Sequence, residues 1–175
     1  MRHALIKSTV SDDSLRALGR VVVEFNLLEF SLSTGIQVTC SATPEISEIL
    51  VSELSVRAKV DIFFSILRHL HPERTAIHKF DSLRVRILRA EQERNKLLHS
   101  YSSAPDAGPT NRSKPTAKAK RGLFISRETL SAVDIDSKAD EFHRLTEDIA
   151  TFLVQPETRW RRTTKTVEGL TSRWS

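Results

Sequence analysis

The chain has 175 residues, the size of one domain and long enough to bury a good hydrophobic core. Five glycines and six prolines are few for a many-turned β fold, and the single cysteine, Cys40, excludes a disulfide framework and favours a reducing compartment. No stretch looks like a signal peptide or approaches the ~18–20 apolar residues of a membrane span, so we expect a cytoplasmic protein that does not contact a membrane.

The charge is unevenly distributed along the chain. The formal net charge is +5 and the sequence pI is about 9.7. Residues 1–56 and 128–154 are acidic on balance, whereas 68–99, 112–127 and 159–173 are basic. Such segregation favours a polyanionic partner, RNA or DNA first, with a solvated basic surface as the alternative.

The first predicted helix begins at residues 11–14, where serine caps and acidic side chains favour a helix start, and ends between 39 and 44. Its apolar stripe, in steps of three and four, is Leu15, Leu18, Val22, Phe25, Leu32 and Ile36. Glu29 falls on the same stripe. A carboxylate that faces the core needs an ion pair or hydrogen bonds.

A second helix is predicted from Thr43, with Pro44 at its first position, to His71, with a weak point at Ser52 and Ser55. A third opens at residue 73, and its apolar stripe carries Arg94 where an aliphatic residue is due. Residues 101–122, rich in Ser, Ala, Pro, Gly, Asn and Lys, predict a long loop. A short strand or hairpin is predicted at 123–133, although a helix there stays open.

The fourth helix is predicted from Asp136 to about Val154, followed by a basic C-terminal tail, residues 156–175, with Trp160 and Trp174. We therefore predict an all-α protein, an up-and-down bundle of four main helices with a short β element before the last helix. Residues 1–155 would form the helical domain.

The end of the third helix contains a cation, an amide and an imidazole, in Arg94, Asn95 and His99. At about 100° per residue, Arg94 and His99 lie roughly 140° apart around the helix, whereas Asn95 and His99 share a face. Either a loosened helix end or a second copy of the chain must bring the arginine and histidine together. A two-fold dimer is the economical solution.

These side chains suit the chemistry of a phosphodiester. A guanidinium matches a phosphate and stays charged, and an imidazole can give or take a proton near neutral pH. With RNA the ribose 2′-hydroxyl supplies the nucleophile, so we expect no metal and no cofactor. A metal site from His69, His71 and His78 is disfavoured because no carboxylate pattern supports it.

The stretch Arg94–His99 resembles the Arg-x4–6-His motif of the HEPN superfamily (higher eukaryotes and prokaryotes nucleotide-binding), at its shortest spacing. EFNLLEFSLSTGI resembles that family's first long helix and SVRAKVDIFFSIL its second, so the resemblance covers about residues 14–100. It implies a helical, usually dimeric protein. Many members are metal-independent RNases, often toxins of toxin–antitoxin pairs or phage-defence effectors, whereas others only bind nucleotides or scaffold assemblies.

The resemblance implies that Arg94 and His99 are catalytic and Asn95 is a positioning partner in a dimeric endoribonuclease, with a cognate antitoxin or regulatory protein as a further partner. The alternatives are a non-catalytic helical dimer that binds nucleotide or nucleic acid, and an interaction scaffold. Residues expected to contact RNA are Lys96, Tyr101, Lys114, Lys118, Lys120 and Arg121.

Simpler structural roles compete with these. Arg94 could pair with Glu29, since both fall on core stripes, and Glu29 is the expected first neighbour of Arg94. His99 could cap the helix end. The lysines could belong to a solvated loop, and Cys40 is most simply a buried small residue.

Overall fold

The computed structural model describes residues 10–40, 43–99, 101–103, 110–118 and 122–154. In this part the chain forms five helices and three strands. In chain order these are α1 (Asp12–Cys40), α2 (Pro44–Ser52), α3 (Val56–Leu70), α4 (Arg74–Leu98), β1 (Tyr101–Ser103), β2 (Thr110–Lys118), β3 (Gly122–Leu130) and α5 (Ala132–Val154). The prediction of a mainly helical protein is therefore confirmed.

The predicted second helix is two helices, separated by residues 53–55. Thr43 caps α2, accepting the Ile46 N–H at 3.5 Å, with Pro44 at the first helical position. Ser55 caps α3 in the same way, accepting the Ala58 N–H at 3.3 Å. A serine cap competes with a continuous helix because its side chain replaces the missing backbone acceptor, so the weak point predicted at Ser52 and Ser55 is a helix boundary.

The helix directions follow from paired side chains. Arg20 of α1 pairs with Asp136 near the start of α5, and Phe25 packs edge-on against Phe142 at 5.5 Å, so α1 and α5 run parallel. Arg86 of α4 pairs with Asp148 and Phe80 packs on Phe152, so α4 and α5 run antiparallel.

The shared core has a strongly aromatic centre. Its largest fully buried side chains are Phe25, Phe63, Phe64, Phe80, Phe142, Leu28, Leu32, Leu67, Ile87, Ile135, Leu145 and Ile149. Phe64 bridges α3 and α4 through Phe80, and Asp61 of α3 binds Arg84 of α4 at 2.6 Å. This core fixes the end of α4, where the predicted motif lies.

The buried face of α1 differs from the predicted stripe in its N-terminal half. Ala17 and Val21 are buried there, whereas Leu15 is 45% exposed. The reason is α5, which packs along this half of α1 and is tied to it by Arg20, whose guanidinium binds Asp136 and Asp140. These carboxylates raise the pKa of Arg20.

The opposite side of α1 is apolar as well. α1 is long and apolar enough to cross a membrane by length and composition alone, a test that a soluble protein's core helix also passes. We define the outer apolar face as the exposed side chains of α1 and α2, namely Val23, Leu27, Phe30, Val38, Ile46, Ile49 and Leu50. The two helices meet where the Gln37 amide donates to Glu48 at 2.7 Å.

The predicted loop at 101–122 is wrong, because two strands lie within it. The sheet has the order β1-β2-β3 with both pairs antiparallel, and β2 pairs with β3 from Thr110 opposite Leu130 to Lys118 opposite Gly122. β2 contains Pro115, and proline cannot donate to a central ladder. However, β1 covers only residues 111–113 of β2, so Pro115 lies where β2 has a single neighbour.

The β element before the last helix, predicted at 123–133, is the strand β3, and α5 begins at Ala132 rather than at residue 136. Ser131 caps this helix, accepting the Asp134 N–H at 3.1 Å, while Asp134 accepts the Ser131 N–H at 2.8 Å. This reciprocal capping box sets the boundary between sheet and helix. The predicted cap was one turn too late.

Candidate functional site

Arg94 lies in the last turns of α4 with its side chain half-buried. Its guanidinium carbon lies 5.3 Å from the centre of the Phe25 ring, a cation–π contact, and its Nη1 donates to Asn95 Oδ1 at 3.0 Å. Its Nε is buried and has no hydrogen-bond partner among the described residues. Within the described part of the chain, Arg94 forms no ion pair, so it is a positioned cation with donor capacity to spare.

The predicted neighbour of Arg94 is wrong. Glu29 pairs with Lys59 of α3, with 2.7 Å between Nζ and Oε1, rather than with Arg94. The Lys59 side chain is only 9% exposed. It is not on the apolar stripe that the sequence predicts for this helix, which is Ile49, Val56, Val60, Phe63, Leu67 and Leu70. Lys59 precedes the buried Phe63 by one helical turn, which turns its ammonium toward α1. This pairing leaves Arg94 without the carboxylate expected of it.

His99 is exposed and forms the C-terminal cap of α4. Its backbone N–H donates to the Asn95 carbonyl at 3.1 Å, so α4 is regular up to its last residue. The helix end is therefore not loosened. Arg94 faces Phe25 in the core while His99 faces solvent, about 7 Å further along the helix axis. Among the described residues no side-chain hydrogen bond joins them, as expected from the roughly 140° between them.

Asn95 is the residue that contacts both. Its side-chain oxygen accepts from Arg94 and its backbone carbonyl accepts from His99. An amide at this position fixes the direction of the guanidinium without neutralising it, which a carboxylate would do. The positioning role expected of Asn95 has this contact as its physical basis.

The residues predicted to contact RNA are dispersed. Lys96 donates to Glu93 at 2.6 Å, so it is an ion-paired lysine. Tyr101 begins β1, opposite Ser113, and Lys118 ends β2. Lys114 lies in β2, opposite Ser126. Lys120 and Arg121 lie outside the described residues.

The strand pairing relates the position of Lys118 to the start of β1 beside His99. β1 begins with Tyr101, two residues after His99, and Tyr101 pairs with Ser113 of β2. From Ser113, β2 continues for five residues to Lys118, a length of about 17 Å. The predicted loop therefore contains two strands of a sheet that begins two residues after His99. The composition of this segment could not predict β1 and β2, because polar strands that contain proline show little alternation of apolar and polar residues.

A cleft of about 480 Å³ lies at the other end of α4, between α4 and α5. Its lining is His78, Lys79, Ser82, Leu83, Arg86, Asp148, Thr151 and Phe152. His78 precedes His99 by 21 residues, or about 30 Å of helix. The cleft is therefore separate from the Arg94 site. Cys40, predicted to be buried, is exposed at the end of α1.

Comparisons with protein-family models, with curated proteins and with solved structures find no match to this chain. The residues of the site therefore carry the functional argument by themselves.

Proposed function

We propose that the protein is a metal-independent endoribonuclease whose site forms across a homodimer, with Arg94 and His99 as catalytic residues and Asn95 as a positioning residue. The observation that supports this most is the state of Arg94. A half-buried guanidinium with a buried free Nε, no carboxylate among the described residues and an amide that orients it is suited to an anion. A purely structural arginine in a bundle is normally neutralised.

In the proposed reaction His99 accepts the proton of a ribose 2′-hydroxyl while the 2′-oxygen attacks phosphorus. The bond from phosphorus to the 5′-oxygen breaks, that oxygen takes up a proton from water, and the His99 imidazolium returns its proton to the solvent. The products are a 2′,3′-cyclic phosphate and a 5′-hydroxyl. Arg94 stabilises the charge on the non-bridging oxygens in the transition state, where a preorganised cation is most effective.

A second copy is part of this proposal because one copy separates the two groups. α4 is regular to Leu98, so Arg94 and His99 of one chain face different directions. A two-fold arrangement can set the His99 of one copy against the Arg94 of the other. We place this dimer on an up-and-down bundle of four main helices, supported by the antiparallel packing of α4 on α5.

The proposal is tested by incubating purified protein with RNA in EDTA. His99→Ala and Arg94→Ala are expected to lower the cleavage rate by at least about 100-fold, the range of a lost general base or charge stabiliser. The matched control is Arg89→Ala, an exposed arginine of the same helix, which should retain nearly full activity. Equal cleavage by the wild type and both site variants would overturn the assignment.

A second candidate is a helical dimer that binds nucleotide or nucleic acid without cleaving it. The observation that favours it is the outward position of His99, which makes no side-chain hydrogen bond within the described residues. Binding that weakens with salt, with no cleavage product and no effect of His99→Ala, would support this alternative.

The third candidate is an interaction scaffold. It predicts that removing residues 156–175 abolishes partner binding while the bundle stays folded.

As further parts of the proposal, the protein acts in the cytoplasm as a toxin or phage-defence effector and meets a cognate antitoxin or regulatory protein. RNA would reach the site along β2, which ends at Lys118, and Lys120 and Arg121 follow in the sequence. These lysines and this arginine would contact phosphates, and Tyr101 would stack on a base.

A further inference from the structure

The outer apolar face is unusual for the solvent side of a helix. Phe30 is 68% exposed, Ile49 72% and Val23 57%, and in α1 these side chains lie opposite the buried face. Outward positions of a surface helix normally carry charge. With ordinary side-chain areas of about 150–200 Å², the seven side chains expose roughly 700 Å², more than the largest apolar patch of many monomers.

This face is surrounded by negative charge. Residues 21–56 contain five glutamates and no lysine, arginine or histidine. Glu24 and Glu29 are held by His143 and Lys59, outside this stretch. Glu45 and Glu53, both exposed, have no basic partner among the described residues. Hydrogen bonds from its own backbone N–H and from the Thr43 hydroxyl lower the pKa of the Glu45 carboxyl, so this side chain stays ionised.

The helix ends add to this field. α1, α2 and α5 have no basic residue in their last turns. Because α1 and α5 run parallel, their C-terminal ends lie at the same end of the molecule. Each such end carries about half a negative charge, which favours a cation.

The chain after α5 leaves from this same place. Phe142 lies against Phe25 and His143 against Glu24. A residue of α5 is therefore level with the residue of α1 whose number is lower by 117 to 119. At equal rise per residue, Val154 is then level with residues 35–37 of α1, near the Val38 end of the outer apolar face but across α1 from it. Val154 itself is 81% exposed.

The composition of the C-terminal tail is complementary to this face. Residues 156–175 contain both tryptophans of the chain, Trp160 and Trp174, and three arginines close to the first of them, Arg159, Arg161 and Arg162. The face from Val23 to Val38 is about 22 Å long, and the six residues from Val154 to Trp160 can span up to about 20 Å. The tail must also pass around α1, which is about 10 Å across, so Trp160 can reach Val38 and Phe30 but not Val23.

We propose that the C-terminal tail binds the outer apolar face of its own chain, with tryptophan on the apolar side chains of α1 and α2 and arginines against the glutamates and helix ends. An anionic membrane or an RNA is a poorer occupant, because the glutamates would repel both. A second copy of the face would place glutamates against glutamates. The proposal is independent of the ribonuclease assignment.

Tryptophan fluorescence tests it directly, because both tryptophans lie in the tail. In the full-length protein we expect blue-shifted emission and acrylamide quenching several-fold weaker than in urea. Phe30→Glu should move both values to those of the urea-unfolded chain while the helical circular dichroism stays unchanged. Val85→Glu is the control, since Val85 is 61% exposed on α4, outside the face.

Wild-type emission and quenching equal to those of the unfolded chain would overturn the proposal, as would an unchanged signal in Phe30→Glu. Protection that disappears on dilution would assign the bound tail to a second copy instead of its own chain. Because the readout is spectroscopic, loss of ribonuclease activity in another variant has no bearing on it, and a docked tail would stand even if no RNA is cleaved.

Discussion

The ammonium of Lys59 is almost entirely buried, and the carboxylate of Glu29 is its ion-pair partner at 2.7 Å. Removing the carboxylate leaves a buried positive charge without compensation, which is costlier than losing the pair itself. We expect Glu29→Ala to lower the free energy of unfolding by about 2–3 kcal/mol, below the ~3–5 kcal/mol of a fully buried pair because Glu29 is one-third exposed. Urea denaturation measures this change.

A double substitution and a surface pair control this prediction. Glu29→Leu combined with Lys59→Met replaces the pair by apolar side chains and should recover most of the lost stability. Asp13→Ala breaks the exposed Arg16–Asp13 pair and should change stability by less than about 0.5 kcal/mol. If Glu29→Ala and Asp13→Ala lower the free energy of unfolding by the same amount, the Lys59–Glu29 pair is not buried in solution.

Asp134 gives a prediction about pH. Hydrogen bonds from the Ser131 hydroxyl and backbone N–H lower the pKa of this carboxyl below its ordinary value of about 3.9. A lowered folded-state pKa means that ionised Asp134 stabilises the fold above that ordinary value, and that this contribution is lost as the pH falls through the folded pKa. Asp134→Asn should therefore be less stable than wild type at pH 7, with a difference that shrinks toward pH 2. Denaturant titrations of both proteins across this range check it, and a difference independent of pH would contradict the capping box.

At the scale of single residues, sequence identified which side chains need explanation but not their partners. Glu29 and Arg94 both stood out as charges on apolar stripes. Their pairing with each other was wrong because Lys59, which lies off the apolar stripe predicted for its helix, is the partner of Glu29. Partner choice depends on how α1 and α3 are rotated against each other, and a periodic pattern in one helix carries no information about that rotation.

Gly35 of α1 lies directly against Phe63 of α3. A Cβ atom built there would lie 2.6 Å from Cε2 of Phe63, a fully buried ring. Gly35→Ala therefore forces the two helices apart and should destabilise the protein by about 1–3 kcal/mol, despite the better helix propensity of alanine. Thermal or urea denaturation measures the loss.

Gly19, in the same helix, is the matched control. A Cβ atom there meets nothing within 4 Å, so Gly19→Ala should stabilise the protein by about 0.5–1 kcal/mol through propensity alone. A loss of stability in Gly35→Ala together with a gain in Gly19→Ala would support the packing of α1 on α3. Stabilisation by both substitutions would place α3 elsewhere.

At the scale of elements, the spacing of apolar residues by three and four predicted the helices well. The polar strands have no such pattern and were predicted poorly. α1, α4 and most of α5 follow from stripes of three and four residues, and the α2–α3 boundary follows from Ser55 as a cap. β1 and β2 do not, because their residues are small, polar or basic and Pro115 argues against a strand. Their pairing to β3 is a long-range property that local composition does not contain.

For the whole molecule, two features depend on the parallel course of α1 and α5. It brings the C-terminal ends of both helices to the same end of the molecule, from which we propose that the C-terminal tail crosses to the outer apolar face. The antiparallel α4 carries Arg94 against Phe25 and ends with His99 exposed. A regular α4 keeps these two side chains apart in one copy, so the central claim is that Arg94 of one copy works with His99 of another.

Mixing two inactive variants tests that claim most directly. Arg94→Ala and His99→Ala subunits are unfolded together, refolded at equal concentration and assayed on RNA in EDTA. Random pairing makes about half of the dimers mixed, each with one intact Arg94–His99 pair out of two, so about a quarter of the wild-type rate should return. A mixture no more active than either variant alone, while both variants still form dimers, would contradict a site shared between copies.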